Sequence, residues 1–165
     1  MHGHGGILLE HLKMLALHHD LGPGDRFLWF TTTGWMMWNF LVSGPAAGAA
    51  IVLFDGSPAH PDLGAMWRLA EETGTTYFGT SAPFLMACRK AGLVPRDVAD
   101  LSRIRGIGST GAPLPSEGFD WVYENVHRDL RLDSLSGGTD VCTGFVGGSP
   151  LLPVRSGTIS CRAWG

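Results

Sequence analysis

Short apolar runs that end in glycine, serine or threonine and then give way to helical stripes limit this chain more than any other feature. The runs are Arg26 to Phe30, Ala50 to Phe54, Thr75 to Phe78, Arg103 to Ile107 and Leu130 to Leu135. Between them, apolar residues recur at helical spacing. The stripes are Trp35 to Val42, then Leu63, Met66, Trp67 and Ala70, then Phe84, Leu85 and Cys88, then Phe119, Val122, Tyr123 and Val126. Strands alternating with helices predict an α/β fold, a mostly parallel sheet with helices on both faces. Ala50 to Phe54 is expected to be a buried strand. Ser81 is the expected N-cap of the helix carrying Phe84, Leu85 and Cys88, with Pro83 in its first turn. An extended, glycine-rich start from Met1 to Gly6 leads into a helix carrying Leu8, Leu12, Leu15 and Ala16, which Gly22-Pro23-Gly24 stops. Thr158 to Cys161 predicts a further strand.

Parallel sheets bind ligands outside the carboxyl ends of their strands. Four small-residue loops fall there: Thr31 to Gly34, Gly79 to Ser81, Ser109 to Pro113 and Ser136 to Asp140. Together they predict a polar cleft on one rim. The richest stretch is Leu130 to Gly147. In it, Ser134-Leu135-Ser136-Gly137-Gly138-Thr139-Asp140 offers backbone N–H groups that no Cβ shields, a hydroxyl for a phosphate oxygen, and a carboxylate for a hard cation such as Mg²⁺. Alone, this motif is more readily a plain Gly-Gly turn; the remaining loops give it weight.

Composition excludes several classes. The net charge is -3 and no basic face is evident, so no nucleic-acid partner is expected. From Phe27 to Phe54 no residue is charged, a length that could span a bilayer. Thr31 to Gly34, Asn39 and Ser43-Gly44-Pro45 interrupt it, so no membrane partner is expected either. Cys88, Cys142 and Cys161 form neither a zinc spacing nor a disulfide framework, and no basic-then-apolar leader is present. A reducing, cytoplasmic setting is the expectation.

Other features have plain explanations. His2, His4, His11, His18 and His19 crowd the start, but only Glu10 and Asp20 stand near as further metal ligands, so surface and loop positions are expected. Tryptophans are expected in the core, with Trp35 the one placed to touch a ligand. Cys142 reads as a small buried hydrophobe and Asp55 as a solvated turn residue. His2-Gly3-His4-Gly5-Gly6 is similar to the oxyanion-hole loop of esterases. A serine hydrolase, however, needs Gly-x-Ser-x-Gly, and Ile107 and Ser134 stand where its first glycine belongs.

Five pieces, in order, carry a resemblance that runs nearly end to end. They are His2-Gly3-His4-Gly5-Gly6, the stretch from Trp29 to Asn39, Phe78-Gly79-Thr80-Ser81-Ala82, Ser109 to Pro115, and Ser136-Gly137-Gly138-Thr139-Asp140. The chain resembles the adenylate-forming acyl-CoA synthetases, and within them the acetoacetate–CoA ligases. The tryptophan-rich piece and Ser-Gly-Gly-Thr-Asp are the specific ones.

The resemblance implies a partial N-terminal adenylation domain over residues 1–165. The phosphate loop would lie before Met1 and the lysine-bearing C-terminal domain after Gly165. It implies ATP-dependent activation of acetoacetate, or a similar short acid, to an acyl-adenylate, then thioester formation with CoA. ATP, Mg²⁺ and CoA are the implied co-substrates. Gly111, Ala112 and Pro113 would line adenine and ribose, and Ser134 to Thr139 would form a second nucleotide-binding segment. Thr139 would bind the α-phosphate. Asp140 stands where many relatives place a glutamate on Mg²⁺, one methylene shorter. Trp35 and Met36 would wall the acyl pocket, with Met37 towards the CoA tunnel. Gly137 replaces a tryptophan of acetyl-CoA synthetases, which would free room for a longer acid. The isolated chain is expected not to turn over. The alternative is a truncated, non-catalytic remnant with at most weak nucleotide binding.

Overall fold

The computed structural model describes residues 1–164. Five parallel strands form the main sheet: β1 (Arg26–Trp29), β2 (Ala50–Val52), β3 (Tyr77–Ser81), β4 (Gly106–Thr110) and β5 (Arg131–Ser134), in the order β2-β1-β3-β4-β5. Helices α1 (His4–Leu12) and α2 (Met36–Val42) lie on one face. Helices α3 (Ala65–Thr73), α4 (Ala82–Lys90) and α6 (Ser116–Asn125) lie on the other, with the short α5 (Pro95–Val98) before β4. This is the predicted α/β architecture, helices covering both faces.

Strand alternation divides the core. Leu28, Phe78, Ile107 and Leu132 pack beneath α3, α4 and α6, where Trp67 stacks on Phe78 with centroids 4.7 Å apart. Phe27, Trp29 and Tyr77 face α2 with Phe40 and Leu41. On this second face the neighbouring strand positions are glycines for a steric reason. A Cβ on Gly106 would stand 2.7 Å from the Tyr77 ring, and one on Gly108 2.7 Å from the Trp29 ring. Both rings are fully buried, so neither can give way.

That requirement corrects two predicted boundaries. Gly79-Thr80-Ser81 completes β3 instead of forming a loop, and β4 runs over Gly106–Thr110 instead of Arg103 to Ile107. Ser81 does cap α4, its Oγ accepting from the Phe84 N–H at 3.3 Å. β2 is an edge strand, with Ala50 exposed and Ile51 and Val52 half-buried, so it is not the buried strand predicted.

The start of the chain is helical from His4, not extended. Helix α1 continues into a π-helical turn, Lys13–His18. The inward stripe differs from the predicted one. His11, Met14, Leu15, His18 and His19 are buried, while Leu8 and Ala16 are exposed. The three inward histidines overturn the surface expectation; His2 and His4 fulfil it. Each buried ring has a fixed partner. His11 Nε2 donates to the Cys142 carbonyl at 2.8 Å, and His18 Nδ1 lies 2.9 Å from the Gly148 carbonyl. Trp29, Trp67 and Trp121 are core, but Trp164 is exposed. Cys142 is buried and Asp55 exposed, as expected.

A second, antiparallel sheet follows β5. It comprises β6 (Ser136–Gly138), β7 (Thr143–Gly147) and β8 (Cys161–Arg162) in that order. The predicted Ser134 to Asp140 turn is therefore the end of β5, one joining residue, β6 and the start of a hairpin turn. Of the predicted Thr158 to Cys161 strand only Cys161 is extended in a sheet, in the two-residue strand Cys161–Arg162.

Candidate functional site

The carboxyl ends of β4 and β5 face the β6–β7 hairpin, and between them lies a pocket of about 430 Å³. Its rim is built from backbone. Gly111, directly after β4, takes φ +86°, which turns Ala112 and Pro113 along the pocket edge. The Leu135 N–H donates to the Ser109 carbonyl at 2.9 Å, and the Thr110 hydroxyl to the Leu135 carbonyl at 3.0 Å. These bonds tie the two rim segments together.

Gly111, Ala112, Pro113, Ser134, Leu135, Ser136, Gly137, Gly138 and Thr139 all line this one pocket, with Trp35, Met36 and Met37 from the start of α2. The Pro113 and Thr139 segments share it. Asp140 is exposed and is not among the lining residues; its carbonyl accepts from His2 Nε2 at 2.6 Å. Of the four small-residue loops, Thr31 to Gly34 and Gly79 to Ser81 do not reach the pocket.

Gly137 lines the pocket, but its missing side chain does not leave pocket space. A Cβ there would overlap the Thr143 carbonyl oxygen and stand 2.8 Å from the Gly144 Cα. The backbone of β7 fills the direction a side chain would take. Glycine here lets β6 and β7 approach closely, beside a register irregularity between Ser136 and Gly137.

Met14, His19, Phe40, Thr143, Gly144 and Ile159 also line the pocket and carried no sequence signal as site residues. Thr143 Oγ1 donates to Glu10 Oε1 at 2.5 Å, and Glu10 pairs with Lys13 at 2.7 Å, so the π-helical turn and β7 are joined at the pocket wall.

Beneath the pocket is a buried polar cluster. The Tyr77 hydroxyl lies 2.5 Å from His19 Nδ1 and 2.9 Å from Asp133 Oδ2. Arg131 Nε reaches both Asp133 oxygens, at 2.9 and 3.0 Å, and its terminal nitrogen donates to the His18 carbonyl at 3.0 Å. Burial alone would raise the Asp133 carboxyl, but the hydrogen bonds of His19 and Arg131 and the Arg131 charge hold it below its ordinary value. Burial pushes His19 down, so its ring is neutral near pH 7. The Tyr77 hydroxyl is driven well up by burial and by the neighbouring Asp133, and stays a donor.

Among the described residues no group of three or more histidine, cysteine, aspartate or glutamate side chains could hold a metal by itself, and no helix is long and apolar enough to cross a membrane.

The family model described as AMP-binding enzyme matches residues 1–161. The chain is 48% identical over 159 residues to the acetoacetyl-coenzyme A synthetase of Rhizobium meliloti, covering 96% of this chain and 24% of that protein. It is 40% identical over 165 residues to the acetoacetyl-CoA synthetase of Gallus gallus, covering 100% of this chain and 25% of that one. The solved structure of the acetoacetyl-CoA synthetase from Streptomyces lividans superposes with a TM-score of 0.91 at 56% identity, over 96% of this chain and 25% of that chain. The chain thus spans about a quarter of the length of the relatives it matches.

Proposed function

The chain belongs to the AMP-binding enzyme family, and from that premise we propose that its pocket holds an acyl-adenylate in an acetoacetate–CoA ligase reaction. In that reaction the carboxylate of acetoacetate, or of a similar short acid, attacks the α-phosphate of ATP. Acyl-adenylate and pyrophosphate form, and the thiol of CoA then displaces AMP. The observation that carries this reading is the convergence of the Gly111–Pro113 and Ser134–Thr139 segments on one pocket beside Trp35 and Met36.

The residues suit that chemistry. Gly137, Gly138 and Thr139 line the cavity without bulky side chains, so backbone N–H groups and a threonine hydroxyl are available to a phosphate. Gly111, Ala112 and Pro113 form a small-residue edge of the pocket beside which adenine would lie. Trp35, Met36, Met14 and Phe40 supply apolar walls for an acid, and Met37 lies on the α2 side assigned to CoA. No nucleophilic side chain is required, since positioning the carboxylate against phosphorus supplies the rate.

Asp140 is an exposed, single hard carboxylate directly after Thr139. Mg²⁺ in phosphate sites takes one or two carboxylates and completes its shell with phosphate oxygens and water. Asp140 does not line the pocket but directly follows Thr139, which does, so it would hold the ion at the outer edge, where the ion would supply charge neutralisation to a phosphate at the rim.

Titration of the chain with AMP and ATP tests the reading. Binding at millimolar or tighter Kd, displaced by an acyl-adenylate analogue, is expected. Silence towards every nucleotide would favour the non-binding remnant. Acetoacetate-dependent pyrophosphate release would further show that these residues suffice for the first step, against the expectation that they do not.

A further inference from the structure

The turn that joins β6 to β7 ends on a residue in an uncommon backbone conformation. Cys142, the last of turn residues 139–142, takes φ +56°. The left-handed region is crowded for any residue with a Cβ, and such a residue stays there only where its surroundings hold it. Cys142 is held at three points. Its N–H donates to the Gly138 carbonyl at 2.9 Å and to the Thr139 carbonyl at 3.1 Å, which closes the turn. Its carbonyl accepts from His11 Nε2 at 2.8 Å. Its Sγ accepts from Asn39 Nδ2 at 3.6 Å.

Among the described residues, three side chains from outside the hairpin bond to this turn: His2, His11 and Asn39. His2 is exposed, and Asn39 reaches only sulfur, a weak acceptor. His11 makes the buried bond. It is 1% exposed, lies edge-on to Phe40, and sets its Nδ1 2.7 Å from the Ser43 hydroxyl. A carbonyl can only accept, so the ring carries its proton on Nε2. Asn39 belongs to α2 and Ser43 stands at its end, while Met36 and Met37 at its start line the pocket. Helix α1, helix α2 and the turn therefore meet at one buried ring.

We propose that His11 is a positioning residue for the phosphate of the bound nucleotide. Through the Cys142 carbonyl it keeps the turn closed, and the closed turn sets where Thr139 and Asp140 stand relative to the α2 wall. The inference rests on the adenylate reading of the site. His11 does not line the pocket, so it acts only through the turn. The edge assigned to adenine is tied by bonds of its own, from the Leu135 N–H and the Thr110 hydroxyl. Loss of His11 should therefore affect the phosphate and spare the nucleoside.

The test compares AMP with adenosine, which differ only in the phosphate. Both are titrated into the ¹⁵N-labelled chain and followed through the Gly111 and Ala112 amides. His11→Leu keeps the site filled but leaves the Cys142 carbonyl without its donor. It should weaken AMP at least about tenfold and change adenosine by less than about twofold. His11→Gln, with an N–H at similar reach, should restore most of the AMP affinity. Adding Cys142→Gly to His11→Leu should recover at least about threefold, because glycine adopts the left-handed conformation unaided. A role in packing alone would give no such recovery. Hydrogen exchange of the native chain decides the matter even where His11→Leu fails to fold: the Cys142 amide should be protected, and AMP should protect it further. Equal loss of AMP and adenosine, unchanged AMP affinity in His11→Leu, no recovery with Cys142→Gly, or an unprotected Cys142 amide that AMP does not slow would each overturn the proposal. So would a native chain that binds AMP no more tightly than adenosine. A native chain that binds AMP and ignores His11→Leu removes only the role of His11, whereas one that binds neither compound removes the adenylate reading and this proposal with it.

Discussion

The Tyr77 hydroxyl bonds Asp133 across 2.9 Å, and in doing so it joins β3 to β5 over β4, the strand lying between them. The bridge passes above Gly108, where a Cβ would stand 3.1 Å from the phenol oxygen. A tyrosine, an aspartate and a glycine on three adjacent strands therefore form one device that stiffens the floor of the pocket.

Removing the phenol oxygen tests that device. Tyr77→Phe leaves Asp133 with Arg131 and His19 but takes away a buried donor, and should cost about 1–3 kcal/mol. Urea denaturation measures it. A change below a few tenths of a kcal/mol would show that the bridge carries no stability.

Gly108→Ala puts a methyl group 2.7 Å from the fully buried Trp29 ring and should destabilise by at least about 2 kcal/mol. Gly22→Ala, where a Cβ meets nothing within 4 Å, is the control and should stay within about 0.5 kcal/mol of the native chain. Thermal melts of the two variants, run side by side, should separate clearly.

Acid should weaken the fold in two stages. His19 is held below its ordinary value of 6.5 by burial, so the unfolded chain takes up that proton first and stability falls as pH drops below about 6.5. Asp133 is also held low, since His19 and Arg131 outweigh its burial. Its contribution is present above the unfolded value of about 4 and is lost as pH falls through the folded one. Denaturation midpoints from pH 7.5 to 3.5 should show both stages, and His19→Gln should remove the first and, by taking one of the groups that hold Asp133 low, shrink the second.

At the hairpin, Gly137→Ala drives a methyl group into the Thr143 carbonyl and should part β6 from β7. AMP affinity should fall at least about tenfold, or ~1.4 kcal/mol, while the main sheet stays folded by circular dichroism. Unchanged affinity would show that the close approach of the two strands is irrelevant to the site.

Ser81→Ala deletes the acceptor of the Phe84 N–H at the start of α4 and should cost about 1 kcal/mol. Ser81→Asp should recover most of it, as judged by melting temperature.

Much of the fold was legible because hydrophobic period and capping signals are local. The Arg26–Trp29 strand, the Met36–Val42 helix and the Ser81 cap follow directly from the residues. Boundaries failed where a tertiary neighbour dictates composition. Gly79 and Gly108 read as loop residues, yet they are strand positions kept small by the ring of Trp29. The Lys13–His18 π-helical turn gave no local sign, and the inward stripe of the first helix, His11, Met14, Leu15 and His18, keeps helical spacing but includes histidines that a hydrophobic reading passes over. The rim segments of the pocket were legible as motifs. His19 was not, because its role needs partners 58 and 114 positions further along the chain.

The two walls of the pocket belong to separate sheets. The floor is cast by the long-range order of five parallel strands, whereas the facing wall is a hairpin whose strands hold three and five residues. An inserted residue or a slipped register in that hairpin would reshape the chamber without disturbing the parallel framework. Across a lineage, ligand preference could therefore drift rapidly in one wall while the other stays almost frozen.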